Sequence, residues 1–344
     1  MRYLKTWSIF ESKGLTKRQT DFLNLYARRN WSLNSDGLVD IKGNFYCIGK
    51  GIKTFEGIKF GKIGGKFDCS RNQLQSLEGA PKEVGGDFNC SRNQLQSLEG
   101  APEKVGGSFN CGDNQLKSLE GAPQEIEDNF RCHSNQLKSL KGAPKKVGDT
   151  FDCSWNKLKS LEGAPKEVGG LFDCSWNKLE SLKGSPEKVR TYFYCTDNPL
   201  QSLEGGPQEV GFEFHCYNNH LQSLEGAPKK VGGNFYCYDN PLQSLRGAPS
   251  EYKTIWWSEG DSKFIVPPFE SAIEKGSMVV YSILNNPEEM DKLVDEIKKD
   301  LNNAPRILSI MRKNDPEFYE RFKRRAEEMG VTLDTSADLG DLGF

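Results

Sequence analysis

Residues Gly64–Val84 read GGKFDCSRNQLQSLEGAPKEV, and residues Gly85–Val105 read GGDFNCSRNQLQSLEGAPEKV. The two strings differ at only four of 21 positions. The same pattern continues along the 344-residue chain, since its ten cysteines lie 21 residues apart after one first gap of 22. A fixed period of this kind predicts a solenoid in which each repeat stacks on the one before it.

Other residue types follow the same period. A phenylalanine lies two residues before every cysteine, and an asparagine lies three residues after it in nine consecutive repeats. Leucines follow each of these cysteines at five and eight positions, and a proline recurs from Pro81 to Pro249. The repeating unit is therefore F-x-C-x-x-N-x-L-x-x-L followed by a turn rich in glycine and proline. We expect the asparagine side chain to bond to backbone groups that the turn leaves unpaired.

This unit resembles the leucine-rich-repeat consensus, with phenylalanine and cysteine at two of the leucine positions. The resemblance covers about residues 45–257. It implies a parallel-sheet arc, with the convex side extended or turn-like because EGAP-type segments cannot continue a helix. The junction of GAPKEVGG with FNCSRNQL is also similar to short leucine-rich-repeat proteins encoded by tailed bacteriophages and some bacteria, a resemblance that carries fold and little function.

The cysteines are best explained as core residues. In F-x-C the side chains alternate, so phenylalanine and cysteine point inward together, and cysteine is a small residue that is often buried. Zinc sites need close pairs such as C-x-x-C, and no two cysteines here are nearer than 21 residues. Disulfides would suit an exported chain. We therefore expect no metal, cofactor or disulfide.

The sequence predicts three regions. Residues 1–44 are expected to form an N-terminal cap with a small helix, because Thr16 to Gln19 resembles a capping box and the run Phe22, Leu23, Leu25 and Tyr26 fits an apolar helical face. Residues 45–257 form the solenoid of about ten repeats, ending in a strand at 254–257 in which Trp256 takes the phenylalanine position and Ser258 the cysteine position. Residues 258–344 carry helical signals: helices are expected to start at Asn286-Pro287 and at Asp315-Pro316, with a shorter one at 306–312. This region is expected to be a helical cap or a docking module with a flexible tail.

Composition limits the possible partners. The formal net charge is −2, which gives no long-range attraction to nucleic acid or to membranes. No apolar run approaches the roughly 20 residues needed to span a bilayer, and the N-terminus lacks a signal-peptide core. We expect a cytoplasmic protein, in the host cytoplasm if it is phage-encoded, and a nucleic-acid partner is unlikely because a basic stripe is missing among the aromatic residues.

The repeats differ most at outward positions beside phenylalanine and cysteine. In the first four repeats these positions are small or charged, whereas aromatic residues and aspartates crowd repeats five to nine. The predicted binding residues on the concave face are Trp155, Trp176, Tyr192, Tyr194, His215, Tyr217, Tyr236, Tyr238, Asp152, Asp173, Asp197 and Asp239. Adjacent strands are expected to bring Tyr194, His215 and Tyr236 into contact in one column, and Tyr217 and Tyr238 in another. Exposed tyrosine and tryptophan with few lysines is typical of an interface centre. The alternative is that aromatic residues simply suit strand surfaces.

Catalytic motifs are missing from the sequence. It has three histidines and no H-E-x-x-H, G-x-x-x-x-G-K or G-x-S-x-G string. The first hypothesis is therefore a non-enzymatic scaffold that binds a protein or peptide on the concave aromatic face. A phage protein that acts on a host factor is one form of this hypothesis. A structural or adhesive component of a virion or cell surface, and a glycan binder, remain as alternatives.

Overall fold

The computed structural model describes residues 14–242, 245, 247–259, 262–266 and 316–333, together with residues 291, 294, 295 and 298. Its main element is one long sheet of twelve strands, to which each repeat contributes a strand beginning at its phenylalanine. The strands of this long sheet are Phe45–Tyr46, Phe67–Asp68, Phe88–Asn89, Phe109–Asn110, Phe130–Arg131, Phe151–Asp152, Phe172–Asp173, Phe193–Tyr194, Phe214–His215, Asn234–Tyr236, Thr254–Glu259 and Ser262–Val266.

All neighbours in the long sheet run parallel except the last pair, and equivalent residues lie directly beside each other. Phe67, for example, pairs with Phe88. The phenylalanine rings form one buried stack with ring centroids 4.9 to 5.6 Å apart, and all ten cysteines are buried and free. The chain is therefore a parallel-strand solenoid with one cysteine per turn, the fold that the leucine-rich-repeat resemblance implies.

The asparagine of each repeat closes the turn after the strand. The Nδ2 group of Asn93 donates to the carbonyls of Cys69, Cys90 and Ser91 at 3.0 to 3.3 Å, and its Oδ1 accepts from the backbone N–H of Leu74 at 3.0 Å. One side chain thus satisfies four buried backbone groups in two adjacent repeats, which a buried turn requires. The role predicted for this asparagine is confirmed.

The other side of the repeats carries further short strands and no helix within the described residues. A five-stranded sheet contains Trp31–Leu33, Val39–Ile41, Phe60–Ile63, Glu83–Val84 and Lys104–Val105. A six-stranded sheet contains Glu125–Ile126, Lys146–Val147, Glu167–Val168, Lys188–Val189, Glu209–Val210 and Lys230–Val231. The extended, non-helical second side that the sequence predicts is therefore observed. The break between the two sheets lies next to Glu127, which replaces a repeated glycine.

The N-terminal end of the phenylalanine stack is covered by helix α1, Lys17–Tyr26. Its capping box is formed as predicted, with Thr16 and Gln19 bonding to each other's backbone. The rings of Phe22 and Tyr26 lie 6.0 and 6.1 Å from that of Phe45. Leu25, which the sequence placed on the apolar face, is instead 67% exposed, since it lies on the opposite side of the helix from buried Leu23.

The C-terminal strand Thr254–Glu259 exists, but its predicted register is wrong. Ile255, rather than Trp256, occupies the phenylalanine position, and the next inward position belongs to Trp257 rather than Ser258. Ile255 and Trp257 are 1% and 2% exposed. This last step along the chain is 20 residues rather than 21, and a shift of one residue in a strand exchanges its inward and outward faces. Trp256 consequently lies on the outer face.

Beyond the solenoid, helix α2 spans Pro316–Glu328. It begins at the predicted proline and is followed by Gly330 at a φ of +74°. Arg325 of α2 contacts both carboxylate oxygens of Asp291, at 2.5 and 2.8 Å. Most of the helix predicted after Asn286, the short helix predicted at 306–312 and the tail from 334 lie outside the described residues.

Candidate functional site

Four positions in each repeat form the outer face of the long sheet. They are the residues immediately before and after the phenylalanine, and the two residues after the cysteine. Because the strands are parallel and in register, each position forms a column that crosses the sheet at a spacing of about 4.8 Å. The twelve predicted site residues all fall in these four columns.

The column after the phenylalanine becomes aromatic in the later repeats. The ring of His215 lies 4.4 Å from that of Tyr194 and 4.3 Å from that of Tyr236. Tyr236 is followed by Trp256, whose ring is stacked at 5.7 Å. The predicted contact between Tyr194, His215 and Tyr236 is observed, and the corrected register adds Trp256 to the same row.

A second row lies in the column directly after the cysteine. Tyr217 and Tyr238 are stacked at 4.6 Å with an angle of 5° between their planes. The two rows touch, because the ring of His215 is 6.0 Å from that of Tyr217 and the ring of Tyr236 is 6.5 Å from that of Tyr238. The rows therefore form one continuous patch.

Two further rings extend this patch on its other side. Tyr192 lies 5.9 Å from Tyr194 and 5.1 Å from Phe212. Phe212 is 47% exposed and was not among the predicted residues, although it occupies a turn position that is glycine in most repeats, at Gly65 and Gly86 for example. That replacement was the signal available in the sequence. We call the whole patch the aromatic surface; its members are Tyr192, Tyr194, Phe212, His215, Tyr217, Tyr236, Tyr238 and Trp256.

Trp155 and Trp176 form a separate tryptophan pair in the second column after the cysteine. Their rings stack at 4.3 Å with an interplanar angle of 7° and are 54% and 46% exposed. Both residues have left-handed backbone, with φ of 55° and 56°. That conformation suits glycine, asparagine or aspartate and is an outlier for a bulky residue. The same turn position is left-handed in the other repeats too, at Arg71 and Ser134 for example, so the conformation is a property of the repeat turn. Two large rings that face solvent at this position are what distinguish these two repeats.

The predicted aspartates fall into two sets. Asp152 and Asp173 lie in the column that continues into Tyr194, with Asp173 and Tyr194 in direct register. Asp197 and Asp239 lie in the column of the tryptophan pair, and both have left-handed backbone. The Nδ2 group of Asn218 donates to Oδ1 of Asp197. Carboxylates thus lie next to the aromatic surface in two of the four columns of the outer face.

Burial sets the ionisation of the aromatic surface. It lowers the pKa of His215, and Glu213, 3.1 Å from Nε2, offsets only part of that shift. His215 is therefore neutral at pH 7. Burial, together with the charge of Glu213, raises the pKa of Tyr194 to about 12. The surface presents a neutral imidazole and intact phenols, which can stack and exchange hydrogen bonds with a ligand.

His133 forms a cluster with Asp113 and Asp152 beside this region, and this cluster was not predicted. Nδ1 of His133 is 3.1 Å from Asp152, and Nε2 is 3.7 Å from Asp113. The interaction with Asp152 raises the pKa of His133. The ring leans over Gly112, where a Cβ atom would meet it at 2.6 Å. Gly112 replaces the serine of the two preceding repeats, Ser70 and Ser91, and that exchange was the available sequence signal.

The site offers little for covalent chemistry. Burial raises the pKa of every cysteine thiol in the solenoid well above its ordinary value, as at Cys153 and Cys174, so no thiolate forms near pH 7. Within the described residues, no group of three or more His, Cys, Asp or Glu side chains is arranged to hold a metal ion. In the same part of the chain, no helix is long and apolar enough to cross a bilayer. The arrangement is suited to binding by stacking, hydrogen bonds and charge.

No protein-family model matches the sequence, and no curated protein matches it. Among solved structures, YopM from Yersinia enterocolitica WA-314 is similar, with a TM-score of 0.41 and 19% sequence identity. The similarity covers 59% of this chain and 51% of that one, so the chain matches about half the length of YopM.

Proposed function

We propose that this protein is a non-enzymatic scaffold that binds a protein or peptide segment on the outer face of the long sheet, across the aromatic surface and the tryptophan pair. One observation carries the proposal. The rings of Tyr192 to Trp256 form a continuous chain of contacts over four adjacent strands, on a face that the described chain leaves accessible. Tyrosine and tryptophan are enriched at interface centres because they supply large contact areas together with a polar group.

The rigidity of the support favours this function. Each strand is fixed by backbone hydrogen bonds to both neighbours, for example Cys195 N–H to the carbonyl of His215 at 2.9 Å. The rings of the aromatic surface also hold one another, as in the stack of Tyr217 on Tyr238. A preorganised surface loses little conformational entropy when it binds, which leaves more of the contact energy for affinity.

A glycan is the second candidate ligand, because stacked tyrosines beside carboxylates also suit sugar rings. The tight stacking favours a peptide over a sugar, however. Tyr217 and Tyr238 cover each other's faces at 4.6 Å, so a sugar ring could stack only on the outer sides of the pair. The protein could also be a structural or adhesive part of a virion or cell surface, and that role would use the same face. A phage protein that acts on a host factor is a special case of the scaffold.

The test is capture of partners from a lysate by the whole protein, compared between two double variants. Tyr217→Ala with Tyr238→Ala removes the second ring row. Ser70→Ala with Ser91→Ala changes the same column at the other end of the sheet and serves as the matched control. We expect the control to retain partners identified by mass spectrometry and the tyrosine variant to lose them.

Equal recovery of the same proteins by both variants would contradict binding at the aromatic surface. Binding to a glycan array in the absence of any captured protein would favour the sugar alternative. Detection of the protein in purified particles rather than free in lysate would favour the structural alternative.

A further inference from the structure

We propose that the tryptophan pair binds an acidic segment of the protein partner. The carboxylates of this segment lie on exposed lysines beside the pair, and one of its aromatic side chains stacks on the open face of Trp155. This inference rests on the proposed function and names the chemistry of its partner. It comes from two columns of side chains that lie just beyond the four outer columns, where the chain leaves each strand of the long sheet.

These two columns contain the residues four and six positions after each cysteine. Burial alternates along the chain after Trp155, since Asn156 and Leu158 are buried while Lys157 and Lys159 are exposed. Alternating residues of an extended segment point to opposite sides. The two columns therefore point to solvent, as the tryptophans do, and continue the outer face.

Lysine is confined to one part of these two columns. In the four repeats from Cys111 to Cys174 the columns hold five lysines and Glu180, a formal charge of +4 (five minus one). In the two repeats before and the two repeats after, the same positions hold no lysine, arginine, aspartate or glutamate. We call the five lysines the lysine rim; its members are Lys117, Lys138, Lys157, Lys159 and Lys178.

The lysine rim and the tryptophan pair occur in the same repeats. Lys157 and Lys178 follow Trp155 and Trp176 by two residues, whereas the preceding repeat has Gln136 at the position of these lysines. The repeats on either side of the pair have neither the tryptophan nor this lysine. The exposed rings and the positive charges therefore belong to one local surface.

The charges of the lysine rim are not neutralised within the described part of the chain. All five lysines are exposed, and no described carboxylate lies within ion-pair distance of them. In the next column, by contrast, Lys141 contacts Glu120 at 2.8 Å and Lys183 contacts Glu162 at 3.6 Å. Like charges on adjacent strands repel each other at a spacing of about 4.8 Å. An acidic partner would relieve that repulsion.

Trp155 offers one open ring face next to these charges. Trp176 covers its other face at 4.3 Å, and on the open side the column continues with the small side chain of Ser134. The 54% exposure of Trp155 agrees with one covered face and one open face. Lys138 belongs to the repeat of Ser134, and Lys157 to that of Trp155. An aromatic side chain can therefore stack there while a neighbouring carboxylate binds these two lysines.

The carboxylates near the tryptophan pair leave this surface positive. In the tryptophan column, Asp113 contacts Arg92 at 3.3 Å, and Asp197 accepts a hydrogen bond from Nδ2 of Asn218. Asp173 lies in the column after the phenylalanine, on the opposite side of the pair from the lysine rim. Its negative charge directs the acidic side chains of a partner toward the rim.

A single-stranded nucleic acid fits this surface less well than an acidic peptide. Such strands bind by stacking successive bases on successive aromatic rings above a basic groove. The two tryptophans are closed on each other at 4.3 Å, so they leave the face of Trp155 for one base. The phosphates on either side would then reach repeats whose two columns carry no cation. A neutral glycan would leave the lysine rim without a charged partner.

The experiment is a selection of displayed, randomised 12-residue peptides against the whole protein at pH 7.4 and moderate salt. We expect the selected peptides to be enriched in aspartate, glutamate and aromatic residues relative to the starting library, and their affinity to fall as salt is raised. The double variant Lys138→Gln with Lys157→Gln, and the single variant Trp155→Ser, should each bind them at least tenfold more weakly. Other repeats have glutamine and serine at these positions, so the fold should persist, which thermal unfolding would verify.

The matched control is Lys145→Gln with Lys146→Gln, which removes the same charge from exposed positions on the other side of the solenoid. We expect its affinity to change less than twofold. A 12-nucleotide oligothymidylate is tested beside the peptides. Tighter, lysine-dependent binding of this strand would overturn the inference in favour of a nucleic acid.

Two further outcomes separate this inference from the proposed function. If the selected peptides require Tyr217 and Tyr238 but show no acidic enrichment, or bind the glutamine double variant or Trp155→Ser as well as the unchanged protein, the inference is wrong and the proposed function stands. If no selected peptide depends on Trp155 or on those tyrosines, the proposed function and this inference both fail.

Discussion

Asp152 and Asp173 lie side by side in register on adjacent strands of the long sheet, yet the fold shifts the pKa values of their carboxyl groups in opposite directions. Both are substantially buried, which raises a carboxyl pKa. Contacts with His133 and Ser154 outweigh burial at Asp152, and its pKa is lowered. At Asp173 burial and the negative charge of Asp152 prevail, and its pKa rises to about 6.

The first prediction concerns the stability cost of Asp173. Its protonated form is favoured in the fold, so its contribution to stability is greatest below pH 4 and is lost as pH rises through about 6. Asp173→Asn should therefore increase the free energy of unfolding by about 1 to 2 kcal/mol at pH 7.5, and by much less at pH 4. The amide oxygen can still accept from the N–H of Ser175, as Oδ1 of Asp173 does at 2.9 Å.

Urea denaturation at several pH values measures this difference. Asp87→Asn is the control of opposite sign, because the contacts of Asp87 with Lys66 and Ser108 outweigh its burial and lower its pKa. The ionised carboxylate of Asp87 stabilises the fold at every pH above the pKa that this group has in the unfolded chain. Its removal should therefore reduce the free energy of unfolding at pH 7.5. A destabilised Asp173→Asn variant at pH 7.5 would show that the charge of Asp173 is well compensated.

A second prediction follows from the left-handed backbone of Trp155 and Trp176. Left-handed backbone costs a bulky residue about 1 to 2 kcal/mol, which equals or exceeds the roughly 0.5 to 1.5 kcal/mol gained from one aromatic pair. Replacing both by asparagine should leave the free energy of unfolding unchanged or higher, while it weakens partner binding. Phe172→Ala, which removes a fully buried ring of the same repeat, should cost about 3 to 5 kcal/mol. A loss of stability in the asparagine double variant comparable to that of Phe172→Ala would contradict a functional origin of the pair.

The glycine of the Gly-Ala-Pro turn provides a third prediction. Gly142 has a φ of +87°, and a Cβ atom there would lie 2.5 Å from the backbone nitrogen of Glu120. Gly37 has a similar φ of +75° but open space around its Cβ position. Gly37→Ala should thus cost about 1 kcal/mol for the backbone conformation alone, whereas Gly142→Ala should cost more than about 2 kcal/mol. Equal losses in thermal or urea unfolding would mean that the adjacent repeat can move aside.

The asparagine column provides a fourth prediction. Asn93→Ala removes three donated bonds and one accepted bond from buried backbone groups. Each orphaned group costs about 1 to 3 kcal/mol, so we expect a loss of at least about 3 kcal/mol. Gln94→Ala removes an exposed amide from the next position and should change stability by less than about 0.5 kcal/mol. Chemical denaturation compares the two, and a mild effect at Asn93 would mean that water replaces its bonds.

Periodicity made most of the solenoid predictable. Because phenylalanine, cysteine, asparagine and leucine recur at a fixed step, one repeat defines the inward and outward positions of the others, and the outer columns followed directly. The same extrapolation failed at Trp256 and Ser258. The step from Phe235 to the next inward residue, Ile255, is one residue shorter than the period, and a shift of one residue moves every side chain of a strand to the opposite face of the sheet. A period read from the sequence cannot reveal where a turn shortens.

Side-chain clusters were less predictable than columns. The contact of Tyr194 with His215 follows from strand register alone. Phe212 and His133 were missed because each depends on a departure from the repeat. Phe212 itself replaces a turn glycine, and the ring of His133 is accommodated by the small Gly112 of the preceding repeat. Opposite pKa shifts at two aspartates of one column depend on burial and neighbouring charges, which a single sequence does not specify.

The central claim is that the ten cysteines form an inert internal column, since each is buried and several Sγ groups donate to a carbonyl of the next repeat, as Cys153 does to Asp173 at 3.3 Å. Titration of thiols with Ellman's reagent, without prior reduction, tests it most directly. The account predicts no reaction over an hour in the native protein at pH 8, and reaction of all ten thiols once the protein is unfolded in guanidinium chloride. Rapid reaction of native thiols, or fewer than ten reactive thiols after unfolding, would contradict it.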